Sequence, residues 1–480
     1  MGINHDVPLC VDCDGTLVKT DLLHEALLLL VKQAPLALPL LPFWLLRGKA
    51  YFKERVAERV TIDWSSLPYN EEILALIREA RQQERRVVLA TASPLAWAEG
   101  IARQLGLFDD IVATKGDVNL AGADKAQRLV ELYGNRNFDY IGNSNADVPV
   151  WACARAGLVV SSHQGLLRAA QNATDVKQVV PVERAGLLTY LRALRVHQWL
   201  KNLLVWVPLI ASHQLSSSEK LLQAAVAFLA FLAFGFCASA VYVINDLLDL
   251  EADRLHIRKR NRPFASAAIP LRHAALMVPF LAGLTVILAA FLPRLFWFVL
   301  GTYFLMTLAY SLRLKRQVIV DVMLLAGLYT MRIIAGAAAT TVVPSFWLLA
   351  FSMFVFLSVA VVKRYSELSA TLQQSKQTAA GRGYTVTDLP VLMSLGASAG
   401  MASVLVLALY INDPETRILY PSTQWLWMAP PLLLYWVSRI WMKTQRGEID
   451  DDPVVFAVRD WQSLMTAALI AVFFALARTR

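Results

Sequence analysis

The apolar positions of the chain follow different patterns before and after residue 185. Before it, short apolar runs alternate with polar stretches, and the runs at 7–11, 87–90 and 138–141 each precede small or polar residues. Such runs, with helix-like stretches between them, are typical of an α/β domain with a parallel sheet. We therefore predict an α/β domain over residues 1–184.

A helical cap is predicted inside this domain, over about residues 20–85. The stretch 22–60 is apolar and helix-like, and three prolines interrupt it. Its run LALPLLPFWLL, at 36–46, is more apolar than is usual for a soluble surface. Two interpretations stay open for it: a buried pair of cap helices, or a segment in contact with lipid.

Beyond residue 185, long apolar runs are separated by short charged stretches. Most approach the roughly 20 residues that a helix needs to cross the hydrocarbon core of a bilayer. Nine runs are predicted as spans, at 203–214, 221–244, 274–292, 295–312, 318–340, 345–362, 389–411, 425–442 and 457–477. Residues 185–480 are therefore predicted to form an all-α membrane domain.

The basic residues predict the orientation of this membrane domain. The loops after the second, fourth, sixth and eighth spans are rich in Arg and Lys, and the alternate loops are poor in them. Basic residues concentrate in cytoplasmic loops. We therefore predict an inner or plasma membrane protein whose N-terminal domain and active sites are cytoplasmic and whose C-terminus is outside. No signal-peptide pattern opens the sequence.

Composition supports this prediction and argues against a nucleic-acid partner. The chain is 56% hydrophobic and 17% charged, whereas soluble domains carry about 25% charged residues. The net charge is +9. Because the cations lie in loops between apolar spans, membrane topology explains them.

A first group of candidate catalytic residues directly follows the first predicted strand, in DCDGT at 12–16. Asp12 and Asp14 can divide the work of phosphoryl transfer, because one carboxylate can attack phosphorus while the other moves a proton to the leaving oxygen. Gly15 lets the backbone approach a phosphate group. This run therefore indicates a phosphate-processing site.

Further polar residues that such a site needs lie downstream. Thr91 offers a hydroxyl to a phosphate oxygen, and Lys125 offers a cation, with Lys115 as the alternative lysine. Asp147 offers an oxygen ligand for Mg²⁺.

These motifs resemble those of the haloacid dehalogenase (HAD) superfamily, whose first motif is D-x-D-G-T, over about residues 5–180. The resemblance implies that Asp12 is the nucleophile that forms an aspartyl-phosphate and that Asp14 is the general acid/base. Thr91 and Lys125 would hold the phosphoryl group. Asn143 stands where the fourth motif usually has Asp. The implied Mg²⁺ ligands are Asp12, Asp14, Asn143 and Asp147.

A second acidic cluster follows the second predicted span, at 245–263. On a helix, Asn245, Asp249 and Asp253 share one face, and Asp246 lies close to it. Carboxylates held together repel one another unless a divalent cation neutralises them, and Mg²⁺ commonly bridges carboxylates to a diphosphate. The dense cations that follow suit phosphate recognition.

This N-D-x-x-D-x-x-x-D pattern resembles the first signature of the UbiA superfamily of intramembrane transferases, over about residues 190–480. Most members transfer a prenyl group from its diphosphate to an aromatic acceptor, and they carry a second acidic cluster after the sixth span. Here that position reads KRYSE, at 363–367. The basic run and the segment 321–336 look more like the decaprenyl-phosphate phosphoribosyltransferase branch, whose donor is phosphoribosyl pyrophosphate (PRPP) and whose acceptor is a polyprenyl phosphate.

The resemblance also implies roles for individual residues. The Mg²⁺ and pyrophosphate ligands would be Asn245, Asp246, Asp249 and Asp253, with the three aspartates catalytic. The substrate-binding residues would be Asn245, Arg254, His256, Lys259, Arg260, Arg262, Tyr329, Arg332, Lys363, Arg364 and Glu367. Asp321 either belongs to this site or caps its helix, and Tyr329 either contacts substrate or packs in the core.

Together these features predict a bifunctional, Mg²⁺-dependent membrane enzyme. It would move phosphoribose from soluble PRPP to a polyprenyl phosphate in the membrane, and its HAD domain would then remove the 5-phosphate of the product. Two alternatives stay open. One is a prenyltransferase that acts on an aromatic or quinone precursor, and the other is a HAD domain that regulates the transferase or acts on another phosphate ester.

Overall fold

The computed structural model describes residues 7–116, 119–183, 185–212, 217–256, 258–373, 383–449 and 453–479. Lys376 and Arg382, two basic residues of the loop after the sixth predicted span, lie outside these residues. The chain forms two compact units. The first combines Met1–Leu194 with Tyr242–Val278, and the second combines Arg195–Val241 with Pro279–Arg480.

The first unit is built on a six-stranded sheet with the order β3-β2-β1-β4-β5-β6. Its strands are β1 Leu9–Val11, β2 Val87–Pro94, β3 Asp110–Thr114, β4 Asp139–Gly142, β5 Ala156–Val160 and β6 Asp175–Val180. Every neighbouring pair is parallel. The α/β prediction is confirmed. Because β1 lies centrally between β2 and β4, the loops after these three strands meet at one edge, where open parallel sheets bind ligands.

Helices cover the sheet and form the cap. They are α1 Leu22–Gln33, α2 Leu41–Leu46, α3 Lys49–Ala57, α4 Glu71–Gln82, α5 Leu95–Leu105, α6 Ala123–Tyr133, α7 Val148–Cys153, α8 Gln164–Ala173 and α9 Leu187–Ala193. The remaining helices are α10 Val207–Ala211, α11 Ser217–Leu248, α12 Leu250–Leu255, α13 Leu271–Ala289, α14 Arg294–Leu312, α15 Val320–Thr340, α16 Phe346–Gln373, α17 Leu389–Asn412, α18 Pro414–Leu419, α19 Ala429–Gln445, α20 Pro453–Arg459 and α21 Trp461–Leu476.

The cap combines a buried helix with an exposed apolar segment. Helix α1 begins after Asp21, whose carboxylate accepts hydrogen bonds from the backbone N–H groups of Leu23 and His24, as an N-cap residue does. One face of α1 is buried. In contrast, Leu36 and Leu46 are 93% and 85% exposed. The structure therefore buries α1 and leaves the apolar run at 36–46 largely uncovered.

A small apolar core joins the cap to the segment that follows α12. Phe264, Ile269 and Ala274 are fully buried in it, and Leu28 of α1 and Tyr190 of α9 pack against them. The Tyr190 hydroxyl also makes a hydrogen bond of 2.8 Å with Nδ1 of His273. This segment is therefore an integral part of the first unit, although it lies some 70 residues or more beyond α9 in the sequence.

Six helices among the described residues are long and apolar enough to cross a membrane, by length and composition. They are Leu221–Leu248, Leu271–Ala289, Arg294–Leu312, Val320–Thr340, Phe346–Leu372 and Val386–Asn412. The pair α20 and α21, bent by 77°, gives a seventh if it is one span.

The predicted count of nine spans is not confirmed. The run at 203–214 contains the end of a 3-10 helix, Val196–Trp206, and the five-residue helix α10. The run at 425–442 is divided between a 3-10 helix and α19, which has 17 residues. Apolar composition alone did not reveal these breaks, because prolines such as Pro208 start new helices inside apolar sequence.

Two candidate active sites

The first site lies at the carboxyl end of β1, where Asp12 is 7% exposed. The ammonium group of Lys125 donates a hydrogen bond of 2.7 Å to Oδ1 of Asp12 and lies 3.4 Å from Oδ1 of Asp147. Lys125 is itself 3% exposed. The structure therefore brings together three of the residues singled out in the sequence. Lys115, the alternative lysine, is exposed on another part of the unit, in a second cavity.

Charge and burial oppose each other at Asp12. Burial raises the pKa of Asp12 to about 7, while the charge of Lys125 acts to lower it. Burial alone would lower the pKa of Lys125, but Asp12 and Asp147 raise it above its usual value. A carboxylate must be ionised to attack phosphorus, and Lys125 is the group that favours the ionised form.

Asp14 has the surroundings of a proton donor. Burial raises its pKa, and the nearby charge of Asp21 adds to the increase. Its Oδ1 accepts a hydrogen bond of 2.7 Å from the backbone N–H of Leu22, and its Oδ2 accepts one of 2.7 Å from the hydroxyl of Ser93. These contacts hold the carboxyl in one orientation, and a raised pKa suits a general acid.

Two residues of this site were missed in the sequence. Tyr140 donates a hydrogen bond of 2.7 Å to Asp147 and accepts one of 2.8 Å from Lys125. Ser93 contacts Asp14, whereas the predicted Thr91 is fully buried and its hydroxyl accepts from the backbone N–H of Ser93. A tyrosine in a buried strand usually needs a hydrogen-bond partner, and this was the available signal for Tyr140.

The donor set of this site fits Mg²⁺ in its chemistry, since Asp12, Asn143 and Asp147 all offer oxygen atoms. A Cβ atom on Gly15 would lie 2.1 Å from the side-chain amide of Asn143, so the glycine allows this amide to approach the motif loop. Within the described part of the chain, no three His, Cys, Asp or Glu side chains are arranged to hold a metal ion. In this arrangement Lys125 forms ion pairs with Asp12 and Asp147 and partly offsets their charge.

The second site begins at the end of α11. Asp246 and Asp253 are each 3% exposed, and both contact Nη1 of Arg262, at 3.2 Å and 2.5 Å. Burial raises the pKa of Asp253 although Arg262 acts to lower it. The helix is interrupted at Asp249, between α11 and α12. Asp246 and Asp253 therefore share Arg262 as a partner. The sequence pattern instead predicted that Asp253 shares a helix face with Asn245 and Asp249.

Asn245 supplies an independent sign of a polar ligand here. Its Oδ1 atom is buried and has no hydrogen-bond partner among the described residues. Burying such an oxygen atom costs free energy unless a ligand, an ion or a water molecule supplies the missing contact. The oxygen donors of Asn245, Asp246, Asp249 and Asp253 are the kind that Mg²⁺ prefers, so this set fits the metal that the sequence implies.

The cations that follow the motif divide into two groups. Lys259 and Arg260 are exposed in a short 3-10 helix, Lys259–Asn261, and Nδ1 of His256 accepts the backbone N–H of Lys259. Arg254 is instead turned inward. Its guanidinium donates to both carboxylate oxygens of Glu25 on α1, at 2.5 Å and 3.2 Å, and to the carbonyl of Ala265 at 3.1 Å.

The pair of Glu25 and Arg254 gives a stability prediction, because each side chain is 5% exposed. We expect Glu25→Ala to destabilise the protein by about 3–5 kcal/mol, since a buried guanidinium loses its partner. Thermal unfolding of the full-length protein in detergent measures this as a fall in Tm. The matched control is Glu58→Ala, which removes an ion pair between exposed side chains and is expected to change Tm little. Equal Tm values for the two variants would contradict the prediction.

In the second unit, Arg332 is the centre of a buried polar group. Its guanidinium donates to Oδ1 of Asn202 at 3.0 Å and to the hydroxyl of Tyr303 at 3.1 Å. The ring of Tyr329 lies 5.6 Å from Arg332 and 5.7 Å from the ammonium of Lys201. Lys201 and Asn202 were missed because they lie in an otherwise apolar run. Buried ionisable residues in such a run are functional candidates by default.

Arg364 is held by two acidic side chains. It is fully buried with Asp321, with Nε 2.6 Å from Oδ2 of that carboxylate, and it also pairs with Glu367. The hydroxyl of Tyr310 donates to Asp321 at 2.9 Å. Asp321, left open between a site residue and a helix cap, is therefore the ion partner of Arg364. Lys363, the preceding residue in the sequence, is half-buried.

Both candidate sites lie in segments of the chain that match known protein families. Residues 204–476, more than half of the chain, match the model of the UbiA prenyltransferase family. This chain belongs to the UbiA prenyltransferase family. Residues 9–151 match the model of haloacid dehalogenase-like hydrolases. Both resemblances seen in the sequence are thereby confirmed. A UbiA-family domain with six long apolar helices makes this chain an integral membrane protein.

Curated relatives cover this UbiA-family chain to different extents. Protein y4nM of Sinorhizobium fredii is 36% identical over 476 residues, which are 98% of this chain and 91% of that protein. Nodulation protein NoeC of Azorhizobium caulinodans is 33% identical over 58% of this chain and 89% of its own length. Decaprenyl-phosphate phosphoribosyltransferase of Mycobacterium tuberculosis is 35% identical over 43% of this chain and 70% of its own length.

Among solved structures, a UbiA homolog from Archaeoglobus fulgidus bound to GPP and Mg²⁺ is similar at a TM-score of 0.46 and 18% sequence identity. The similarity covers 61% of this chain and all of that one.

Proposed function

We propose that this UbiA-family protein transfers phosphoribose from PRPP to a polyprenyl phosphate and then removes the 5-phosphate from the lipid-linked product. The observation that carries the transferase half is the 35% identity to a decaprenyl-phosphate phosphoribosyltransferase. The sequence KRYSE at 363–367 supports it, because it lacks the second acidic cluster that most UbiA members have at this position. The phosphatase half is supported by the Asp12–Lys125–Asp147 contacts.

In the transfer step, a phosphate oxygen of the lipid attacks C1 of the ribose, and pyrophosphate leaves. Mg²⁺ held by Asn245, Asp246, Asp249 and Asp253 would neutralise the leaving pyrophosphate. The exposed Lys259 and Arg260 are placed to bind phosphate groups from the aqueous side. Arg262 keeps Asp246 and Asp253 together, and its charge offsets their mutual repulsion.

In the phosphatase step, the Asp12 carboxylate attacks phosphorus, and the bond to the ribose 5-oxygen breaks. Asp14 donates its proton to that oxygen, and the hydrogen bonds from the backbone N–H of Leu22 and the hydroxyl of Ser93 hold its carboxyl in place. Water then attacks the aspartyl-phosphate, Asp14 takes a proton from the water, and inorganic phosphate leaves. Lys125 offsets negative charge throughout, and Mg²⁺ bound at Asp12 and Asn143 would add to this.

The proposal includes the topology and the domains inferred from the sequence. Residues 1–184 form the phosphatase domain and residues 185–480 the transferase domain. The N-terminal domain and both active sites face the cytoplasm, and the C-terminus lies outside. A cytoplasmic transferase site matches a water-soluble donor, because PRPP cannot cross the bilayer unaided.

A donor test examines this proposal. Full-length protein in lipid nanodiscs is incubated with Mg²⁺ and a polyprenyl phosphate, and with PRPP labelled in its ribose. We expect label in the organic phase, together with release of inorganic phosphate. A matched incubation replaces PRPP by a labelled prenyl diphosphate and an aromatic acid. Lipid label only in that second incubation would contradict the proposal and favour a prenyltransferase.

A further inference from the structure

The cavity at Asp12 has a second, basic side. It has a volume of about 460 Å³, within the size range of small-ligand sites. Asp12, Asp14 and Asp147 line it together with Lys125, which forms ion pairs with Asp12 and Asp147. Three further cations also line it: Lys19, Lys53 and Arg272. Lys125 lies beside the proposed nucleophile Asp12. The three further cations are here called the basic wall, and the proposed phosphatase reaction does not use them.

Arg272 comes from a segment far from the rest of the cavity in sequence. Ala267, Pro270 and Leu271 line the cavity beside it. The segment is held in place because Phe264 and Ile269 are fully buried. Arg254 fixes it further through the carbonyl of Ala265. The wall is therefore a built part of the first unit, and a sequence match to hydrolases at residues 9–151 does not include it.

Among the residues that the structure describes, no carboxylate forms an ion pair with a cation of the basic wall. Arg272 is exposed, and its side chain has no hydrogen bond or ion pair with a residue that the structure describes. The same holds for the side chain of Lys19. Lys53 donates to the carbonyl of Ala92 at 2.7 Å, which leaves two of its three N–H bonds. Asp21, the fourth carboxylate of the cavity, pairs with His24.

We propose that the basic wall binds a second anionic group of the phosphatase substrate. The cavity then selects phosphomonoesters that carry a phosphodiester on the opposite side of a small sugar. The inference rests on the proposed phosphatase activity and names its substrate class. Arg272 is a specificity-determining residue in this scheme, because a guanidinium binds two phosphate oxygens at once. A polyprenyl-phosphate-linked ribose 5-phosphate has this pair of groups, and a free sugar phosphate lacks it.

Two soluble probes test the inference with the full-length protein. One is methyl ribofuranoside 5-phosphate, which has only the phosphomonoester. The other is the same sugar with a methyl phosphodiester at C1. We expect wild type to prefer the second probe through a lower KM. Arg272→Ala should raise KM for the second probe by roughly 10- to 100-fold and raise KM for the first probe much less. Arg272→Lys should retain part of the preference.

The control is Arg168→Ala, which removes an exposed arginine of α8 that does not line the cavity. The inference is overturned if wild type shows no preference, if Arg272→Ala affects both probes equally, or if wild type releases phosphate from neither probe. The lipid-linked substrate separates the two proposals. Arg272-dependent hydrolysis of the second probe without hydrolysis of the lipid-linked compound would support the basic wall and contradict the proposed function.

Discussion

Asp12→Asn is expected to reduce phosphate release from the lipid-linked product by at least about 10³-fold, the scale on which loss of a catalytic nucleophile acts. Asparagine has the same size, so the buried site keeps its shape. The amide carries no negative charge and cannot form the aspartyl-phosphate. It also leaves Lys125 with Asp147 as its remaining carboxylate contact.

The measurement is phosphate release by purified full-length protein, alongside ribose label entering the lipid. Label should enter at the wild-type rate, and the product should keep its 5-phosphate. Asp124→Asn is the matched control, because Asp124 is exposed beside Lys125 in the sequence. Wild-type phosphate release by Asp12→Asn would reject Asp12 as the nucleophile. A changed transfer rate, with no phosphatase activity in wild type, would favour a regulatory HAD domain.

The second large effect is expected at the transferase motif. We expect Asp249→Asn to reduce label transfer from PRPP to lipid by about 10³-fold, because charge stabilisation by a bound metal ion is worth several kcal/mol. Asp249 lies at the break between α11 and α12 and is half-buried. Its substitution should therefore leave the helices intact. Phosphate release from methyl ribofuranoside 5-phosphate should stay unchanged.

Glu251→Gln provides the control for this experiment. Glu251 lies between Asp249 and Asp253 but is outside the N-D-x-x-D-x-x-x-D pattern, and it is also half-buried. Its substitution removes one negative charge from the same helix without touching a proposed ligand. If both variants lose activity equally, the effect comes from local charge and the assignment of Asp249 as a metal ligand fails.

Candidate functional residues could be recognised in the sequence where particular residue types lie close together in the chain. The acidic pair Asp12 and Asp14 follows a strand and identifies the site, and Lys125 reaches it from α6. Strands β3, β5 and β6 were missed. The burial of β3 is mixed and β6 is mostly exposed, so neither has the continuous apolar run by which β1 was recognised.

Contacts between distant residues could not be predicted. Glu25 and Arg254 are 229 residues apart, and the sequence offered Arg254 as a phosphate ligand because it begins a basic run. Arg364 was assigned to substrate because of the family resemblance, although Asp321 holds it in a buried pair. In each case the residue type suits both roles, and only the fold shows which partner is within reach.

The first unit consists of two separated stretches of chain, and this affects how it can be synthesised. Residues 242–278 leave the ribosome after residues 1–194, and the intervening residues contain most of the first long apolar helix. Domains generally fold as units during synthesis. Here the core around Phe264 cannot close while its final segment is still unmade. The two cores around the sheet contain only residues 9–180, so the small core around Phe264 is the part of the first unit that closes only after the first long apolar helix has been synthesised.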